Sequence, residues 1–226
     1  MEAPGAILNE LEILERLYSQ DLADRLVITP IIDARAQFQP SSFEVRLGTE
    51  FVTWRLSRIA YLDLLSVWRR DDNRGRDRKR EALLELAEHT EKHVLPHDGE
   101  FVLHPHEFAL GCTLEFIKLP GNLAGRLEGK STWGRLGLQI HATAGFVDPG
   151  FQGCLTFELQ NVGKVPIPLF PGLRVAQISF YRVNSTLLPY GEKSSSNYGG
   201  VGLQDSRYYV MEELRKIAAL PAHKRK

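Results

Sequence analysis

The densest run of polar side chains is Gly125-Arg-Leu-Glu-Gly-Lys-Ser-Thr-Trp-Gly-Arg-Leu-Gly137, in which Lys130, Ser131 and Thr132 follow Gly129 and Arg135 comes just after. A lysine point charge, hydroxyls and the open amides of a glycine-flanked turn suit phosphate oxygens. The run is not a P-loop, because Ala124 stands where that frame needs its first glycine. Spacing alone reads Ser131 as the N-cap of a short helix beginning at Trp133. Further on, Cys154-Leu-Thr-Phe-Glu-Leu159 alternates, so Leu155, Phe157 and Leu159 share one face of a strand and Glu158 lies on the other with Thr156 and Gln160. A lone strand carboxylate is most often solvated or structurally paired, and periodicity gives Glu158 a place rather than a role. His104, His106 and Glu107 form a close histidine and carboxylate group, but no Pro-Cys-x-x-Cys or His-Glu-x-x-His accompanies it, so no zinc site is expected. A triad can be written from Ser131, His141 and Asp148, without the Gly-x-Ser-x-Gly elbow that would support it.

The elements that must hold these residues can be read from periodicity. Leu8, Leu11, Leu14 and Leu17 put a helix over 7–18, and Phe43, Val45 and Leu47 alternate with Glu44 and Arg46 as in a half-buried strand. Between 57 and 95 the pattern is helical again, as two short helices around a charged loop from Arg69 to Glu81 that carries seven basic and four acidic residues. From Gly99 to Val183 short β-branched and aromatic runs recur between Pro120-Gly121, Pro149-Gly150 and Pro171-Gly172, the punctuation of antiparallel β structure. The fold class expected is mainly β, a distorted antiparallel barrel or sandwich with an N-terminal helix and a helical insertion. The Gly/Ser-rich stretch 190–209 has little to bury and reads as a mobile arm that orders on a ligand or a neighbouring subunit, and Met211 to Leu220 reads as one more helix before a basic tail ending at Lys226. One domain over 1–226 is expected, with 57–95 as its insertion.

Lys plus Arg and Asp plus Glu balance at 28 each, which removes the overall attraction to nucleic acid. The Arg69 to Glu81 stretch mixes signs and interleaves no aromatic, so it reads as a solvated connection rather than a nucleic-acid patch. Two cysteines are too few for a disulfide framework. No run reaches the roughly 20 apolar residues of a membrane span, and a cytoplasmic protein is expected.

In order and spacing these motifs resemble the deoxycytidine triphosphate (dCTP) deaminase family, whose β-clip fold is shared with deoxyuridine triphosphatases. The resemblance rests on Pro40-Ser-Ser-Phe-Glu-Val-Arg-Leu-Gly48, Leu103-His-Pro105 with Glu107, Gly129 to Gly137, His141 to Gly153, and Pro171-Gly172 with Gln177. It implies hydrolytic deamination of dCTP to dUTP and ammonia without a metal at the base. Glu158 would be the proton shuttle, Arg135 its orienting partner, and Ser131 and the Ala144 carbonyl the groups that align water. Lys130, Ser131, Gln177 and Tyr198 would bind substrate, Asp148 would contact the sugar and Phe151 would pack on deoxyribose. The resemblance further implies a homotrimer whose sites are shared between subunits and Mg²⁺ carried on the triphosphate. It also implies dTTP inhibition through His141, Ala142 and Thr143.

The resemblance breaks in the arm, where Asn197 and Val201 replace a lysine and a glutamine of the family, and in the length of the 69–81 loop and the 211–226 extension. Two other readings stay open: a diphosphatase acting on dUTP, alone or after deamination, which the Ala144-Gly145 pair favours, and a nucleotide sensor without catalysis.

Overall fold

A computed structural model of the protein describes residues 5–55, 61–69, 78–184, 186–192, 198–204, 206–207 and 210–220. The expectations for residues 56–60, 70–77, 193–197 and 221–226 lie outside the described residues, as do those for 205 and 208–209. The chain divides into two compact units, one of 1–52 with 92–204, the other of 53–91 with 205–226.

The larger unit is antiparallel β. Its elements are α1 (Glu10–Leu17), β1 (Val27–Thr29), α2 (Ala34–Gln37), β2 (Phe38–Gln39) and β3 (Ser42–Trp54), which leaves the unit after Val52. The chain re-enters within β4 (Thr90–Val94) and continues through β5 (Phe101–Leu103), β6 (Phe108–Lys118), β7 (Leu123–Gly129) and α5 (Ser131–Gly134). It ends with β8 (Leu138–Gln139), β9 (Phe146–Val147), β10 (Gln152–Asn161), β11 (Ile167–Leu169) and β12 (Arg174–Arg182). The main sheet runs β8-β10-β6-β3-β12-β7-β9, and β11 pairs with β5 in a second, two-stranded sheet. Mainly antiparallel β structure with a few helices is what the alternation and the Pro-Gly turns predict.

The core is one cluster in which Phe43, Phe51, Phe157 and Phe180 are fully buried. In β10 the burial alternates as expected: Leu155, Phe157 and Leu159 are buried while Thr156, Glu158 and Gln160 are half-buried. Cys112 and Cys154 are buried free thiols, 4% and 8% exposed.

Three local expectations need correction. The first helix starts at Glu10, capped by a reciprocal Asn9 and Glu12 pair, so Leu8 precedes the cap. Leu8 and Ile13 then occupy the N′ and N4 positions of a hydrophobic staple and are both fully buried, whereas Leu11 is 63% exposed. Leucine spacing alone missed this because the cap, not the period, sets where the helix begins. Ser131 is not an N-cap: α5 begins with it, and Lys130 holds the cap position without a side-chain bond. Glu44 does not follow the half-buried alternation of its strand. It is 6% exposed and paired with two cations, which is what permits a carboxylate to be buried.

The smaller unit contains α3 (Ser66–Arg69), α4 (Arg78–His89) and α6 (Glu212–Ala219). Its core is Ala82 and Leu86, with Trp68 and Leu214 packed against them, and the Ser66 hydroxyl bonds the Glu85 carboxylate. The helical insertion and the C-terminal extension therefore build one helical unit together. Residues 78–81, read from sequence as the end of a charged loop, are the first turn of α4, and 90–94 are strand rather than helix.

Burial pushes the Cys112 thiol up to about 12 and raises that of Cys154 as well. Because the thiolate is the reactive species, the native protein should resist iodoacetamide at mildly alkaline pH and label both cysteines only after denaturation. Fast labelling of either thiol in the native protein would contradict this placement.

Candidate active site

The site is built from three pieces of the larger unit. The first is the 130–135 loop, seated on the start of β12. There the pairing with β3 slips, since Arg174 faces Arg46 and Ala176 faces Val45, leaving Val175 as the extra residue of a bulge. The carbonyls at this bulge anchor the loop: Val175 accepts from the Lys130 N–H at 3.1 Å and Arg174 from the Trp133 indole at 3.1 Å. The Lys130 ammonium reaches Glu44 Oε2 at 2.6 Å, and Arg135 Nη1 donates to the Ser131 hydroxyl at 3.3 Å. Gln177, further along β12, accepts from the Ser42 hydroxyl at 3.1 Å. Lysine, hydroxyl and guanidinium thus share one short loop held by backbone bonds, a donor set suited to an anion.

The second piece is the segment 138–145 beside β10. Pairing of β8 with β10 extends to a bond from the Glu158 N–H to the Ile140 carbonyl at 2.9 Å. The Ala142 N–H then donates to Glu158 Oε2 at 2.9 Å. One carboxylate oxygen is fixed in this way, while Oε1 accepts no hydrogen bond from the described residues. Ala142, Thr143 and Ala144 are exposed, and no hydrogen bond among the described residues engages the Ala144 carbonyl. The turn back into β9 is tight: a Cβ on Gly145 would lie 2.9 Å from the Leu127 carbonyl and 3.0 Å from the His141 ring, so only glycine fits. His141 sits 3.6 Å from a Glu128 carboxylate oxygen, and its buried Nδ1 has no hydrogen-bond partner among the described residues.

The third piece is the turn from β9 to β10 with the returning arm. The Phe151 N–H closes the turn on the Asp148 carbonyl at 3.1 Å, leaving the Asp148 side chain exposed. Phe151 is 8% exposed and meets Tyr190, with ring centroids 5.7 Å apart. The Tyr190 hydroxyl accepts from the Tyr198 N–H at 2.7 Å. Beyond it Gly200 bridges Gly153, accepting from the Cys154 N–H at 2.9 Å and donating to the Gln152 carbonyl at 3.0 Å. A Cβ on Gly153 would meet Gly200 backbone at 2.8 Å, so the arm can lie on β10 only at a glycine. Residues 198–200 are thus docked along the strand that carries Glu158.

The structure therefore groups Lys130, Ser131 and Arg135; it groups Glu158, Ala142 and His141; and it groups Phe151 with the arm. No hydrogen bond among the described residues joins Arg135 to Glu158. Sequence reasoning missed three residues of these groups. Glu44 and Arg174 were hidden because pairing across strands leaves no local signal. Tyr190 was passed over for Tyr198, although it sits one residue after Pro189 beside the aromatic that packs on the sugar in the resemblance.

The dCTP deaminase-like family model matches residues 7–183. The "dCTP deaminase, dUMP-forming" of Dictyoglomus thermophilum is 43% identical over 175 residues, 77% of this chain and 81% of its own length. The protein of the same name from Methanobrevibacter smithii is 40% identical over 214 residues, 93% of this chain and all of its own. A crystal structure of 2′-deoxycytidine 5′-triphosphate deaminase from Agrobacterium tumefaciens aligns with a TM-score of 0.56 at 22% identity. It covers 84% of this chain and 52% of that one, a likeness of fold. With a bulge-anchored cationic loop, a strand carboxylate beside an open hairpin and relatives of this identity over most of its length, the chain belongs to the dCTP deaminase-like family.

Proposed function

We propose that the protein is a hydrolytic dCTP deaminase with Glu158 as its proton shuttle. The observation that carries this is the half-held carboxylate on the outer face of β10: Oε2 is fixed by the Ala142 N–H and Oε1 is unengaged, beside a hairpin with an open carbonyl at Ala144. In the reaction water adds to C4 of cytosine, its proton passing to Glu158. Glu158 protonates N3 and later the C4 amino group, which leaves as ammonia. One carboxylate serves each transfer because, after protonating N3, it takes a second proton from the hydroxyl added at C4 as the C4 carbonyl forms and the C–N bond breaks. Ser131 and the Ala144 carbonyl align the water, and Arg135 holds the carboxylate. Phe151 packs on the deoxyribose, Asp148 contacts it, Lys130 and Ser131 with Tyr198 of the arm hold the phosphates, and Gln177 belongs to the substrate-binding set. The donor set of the 130–135 loop is cationic and hydroxylic, fitted to phosphate oxygens rather than to a metal. Mg²⁺ would therefore arrive on the triphosphate, where it offsets charge.

The active form is proposed to be a homotrimer with shared sites. The resemblance implies sites shared between subunits; in its support, no hydrogen bond among the described residues joins the Arg135–Ser131 pair to the Glu158–Ala142 pair within one chain. Sedimentation should give three chains per particle, and a fully active monomer would contradict the arrangement.

A second reading extends the first: dUTP formed in the site is cleaved to dUMP and pyrophosphate before release. It is supported by the relatives named as dUMP-forming and by the Ala144-Gly145 pair. Incubation with dCTP and Mg²⁺, with products resolved by chromatography, separates dUTP, dUMP plus pyrophosphate, and unchanged dCTP. The Glu158→Gln variant should keep its fold and bind dCTP but lose roughly a thousandfold or more in kcat, since the amide cannot carry the proton. A variant within about tenfold of wild type would remove Glu158 from the mechanism.

A further inference from the structure

One buried charged group outside the assigned residues is tied directly to the 130–135 loop. Glu44 lies on β3, 6% exposed, and its Oε2 takes both the Lys130 ammonium at 2.6 Å and Arg174 Nη1 at 2.8 Å. Arg174 Nη1 also donates to the Ala36 carbonyl at 2.5 Å, so the guanidinium is braced from a second side. Glu44 is itself fixed. Its carbonyl accepts from Gln37 Nε2 at 3.1 Å, and that amide also donates to fully buried Glu115 at 2.8 Å. Its strand position is paired with Gln177.

Two cations on one carboxylate leave a net positive charge, and the shared oxygen fixes where the ammonium sits. Lysine has three N–H donors, so one bond to Glu44 leaves two for a ligand. A free lysine on a four-carbon stem would have to be ordered by the ligand, whereas Lys130 is ordered beforehand by a partner that is itself immobile.

We propose that Glu44 is the positioning residue for triphosphate recognition, presetting Lys130 against Arg174 so that the loop offers a fixed positive site to the phosphates. This rests on the reading of Lys130 as a phosphate ligand. The opposite role, a carboxylate that occupies the lysine and must be displaced by phosphate, predicts the reverse effect on affinity.

The test is calorimetric titration of wild type and Glu44→Gln with dCTP, deoxycytidine and inorganic tripolyphosphate, together with steady-state kinetics. In Glu44→Gln the dissociation constants for dCTP and tripolyphosphate and the KM should rise roughly tenfold or more, with kcat within about threefold and deoxycytidine binding unchanged. Glu44→Asp should recover part of the loss. Unchanged or tighter dCTP and tripolyphosphate binding would overturn the proposal, as would an equal loss for deoxycytidine, the mark of a general structural role. Should Glu44→Gln fail to fold, Arg174→Gln takes its place. It leaves Lys130 and Glu44 as a neutralised pair, and undiminished tripolyphosphate binding would overturn the proposal equally. A wild type that binds tripolyphosphate but does not deaminate dCTP would refute the reaction while leaving the role of Glu44 measurable.

Discussion

The placement of Glu158 and of the hairpin beside it depends on the register of β10. Phe157 and Leu159 are fully buried on one side of this strand, and the side-chain period of two leaves Glu158 no choice but the other. A slip of one residue would bury the carboxylate among phenylalanines and expose two core side chains, so the same packing that stabilises the fold sets the face on which Glu158 stands. The pairing with β6 on one side and β8 on the other locks that register. Because β8 is short and its ladder runs on to the Ile140 carbonyl, the backbone arrives beside Glu158 with the Ala142 N–H free to bond it. Charge-assisted bonding to a backbone amide costs no side-chain ordering on the donor side, which makes it a fixed support for the Glu158 carboxylate and suits the proton shuttle proposed for it.

The 130–135 loop is held by a different device. An extra residue in β12 interrupts the ladder with β3 and turns two consecutive carbonyls to the 130–135 loop, while a buried carboxylate on β3 collects the cations of both segments. Burying Glu44 is tolerable because two charged donors and a fixed backbone replace its water. Glu115 shows the complementary case. It is fully buried, and desolvation pushes its carboxyl above the ordinary range against the pull of the bonds from Arg46 and Gln37. Gln37 ties the Glu115 carboxylate to the backbone carbonyl of Glu44, so the core and the strand position of Glu44 share one polar support.

How far the sequence carried these conclusions follows from the range of each interaction. The place of Glu158 was legible because period two acts over adjacent residues. The β class was legible from Pro-Gly turns, and the order of the site motifs from resemblance. The burial of Glu44 was not legible, since its partners lie 86 and 130 positions away. The start of α1 was misplaced because a capping box outranks leucine spacing, and the joint packing of Trp68 and Leu214 with α4 could not be foreseen from two amphipathic segments far apart in the chain.

In the proposed trimer the machinery is divided: Glu158 and its hairpin come from one chain, Ser131 and Arg135 from another. Mixing two inactive variants, Glu158→Gln and Arg135→Ala, after dissociation and reassembly tests it most directly. Mixed assemblies would contain sites in which both wild-type residues meet, and dCTP deamination should return to a substantial fraction of the wild-type rate. If each variant alone is folded and inactive and the mixture stays inactive despite demonstrated exchange of chains, the site lies within one chain and the account fails.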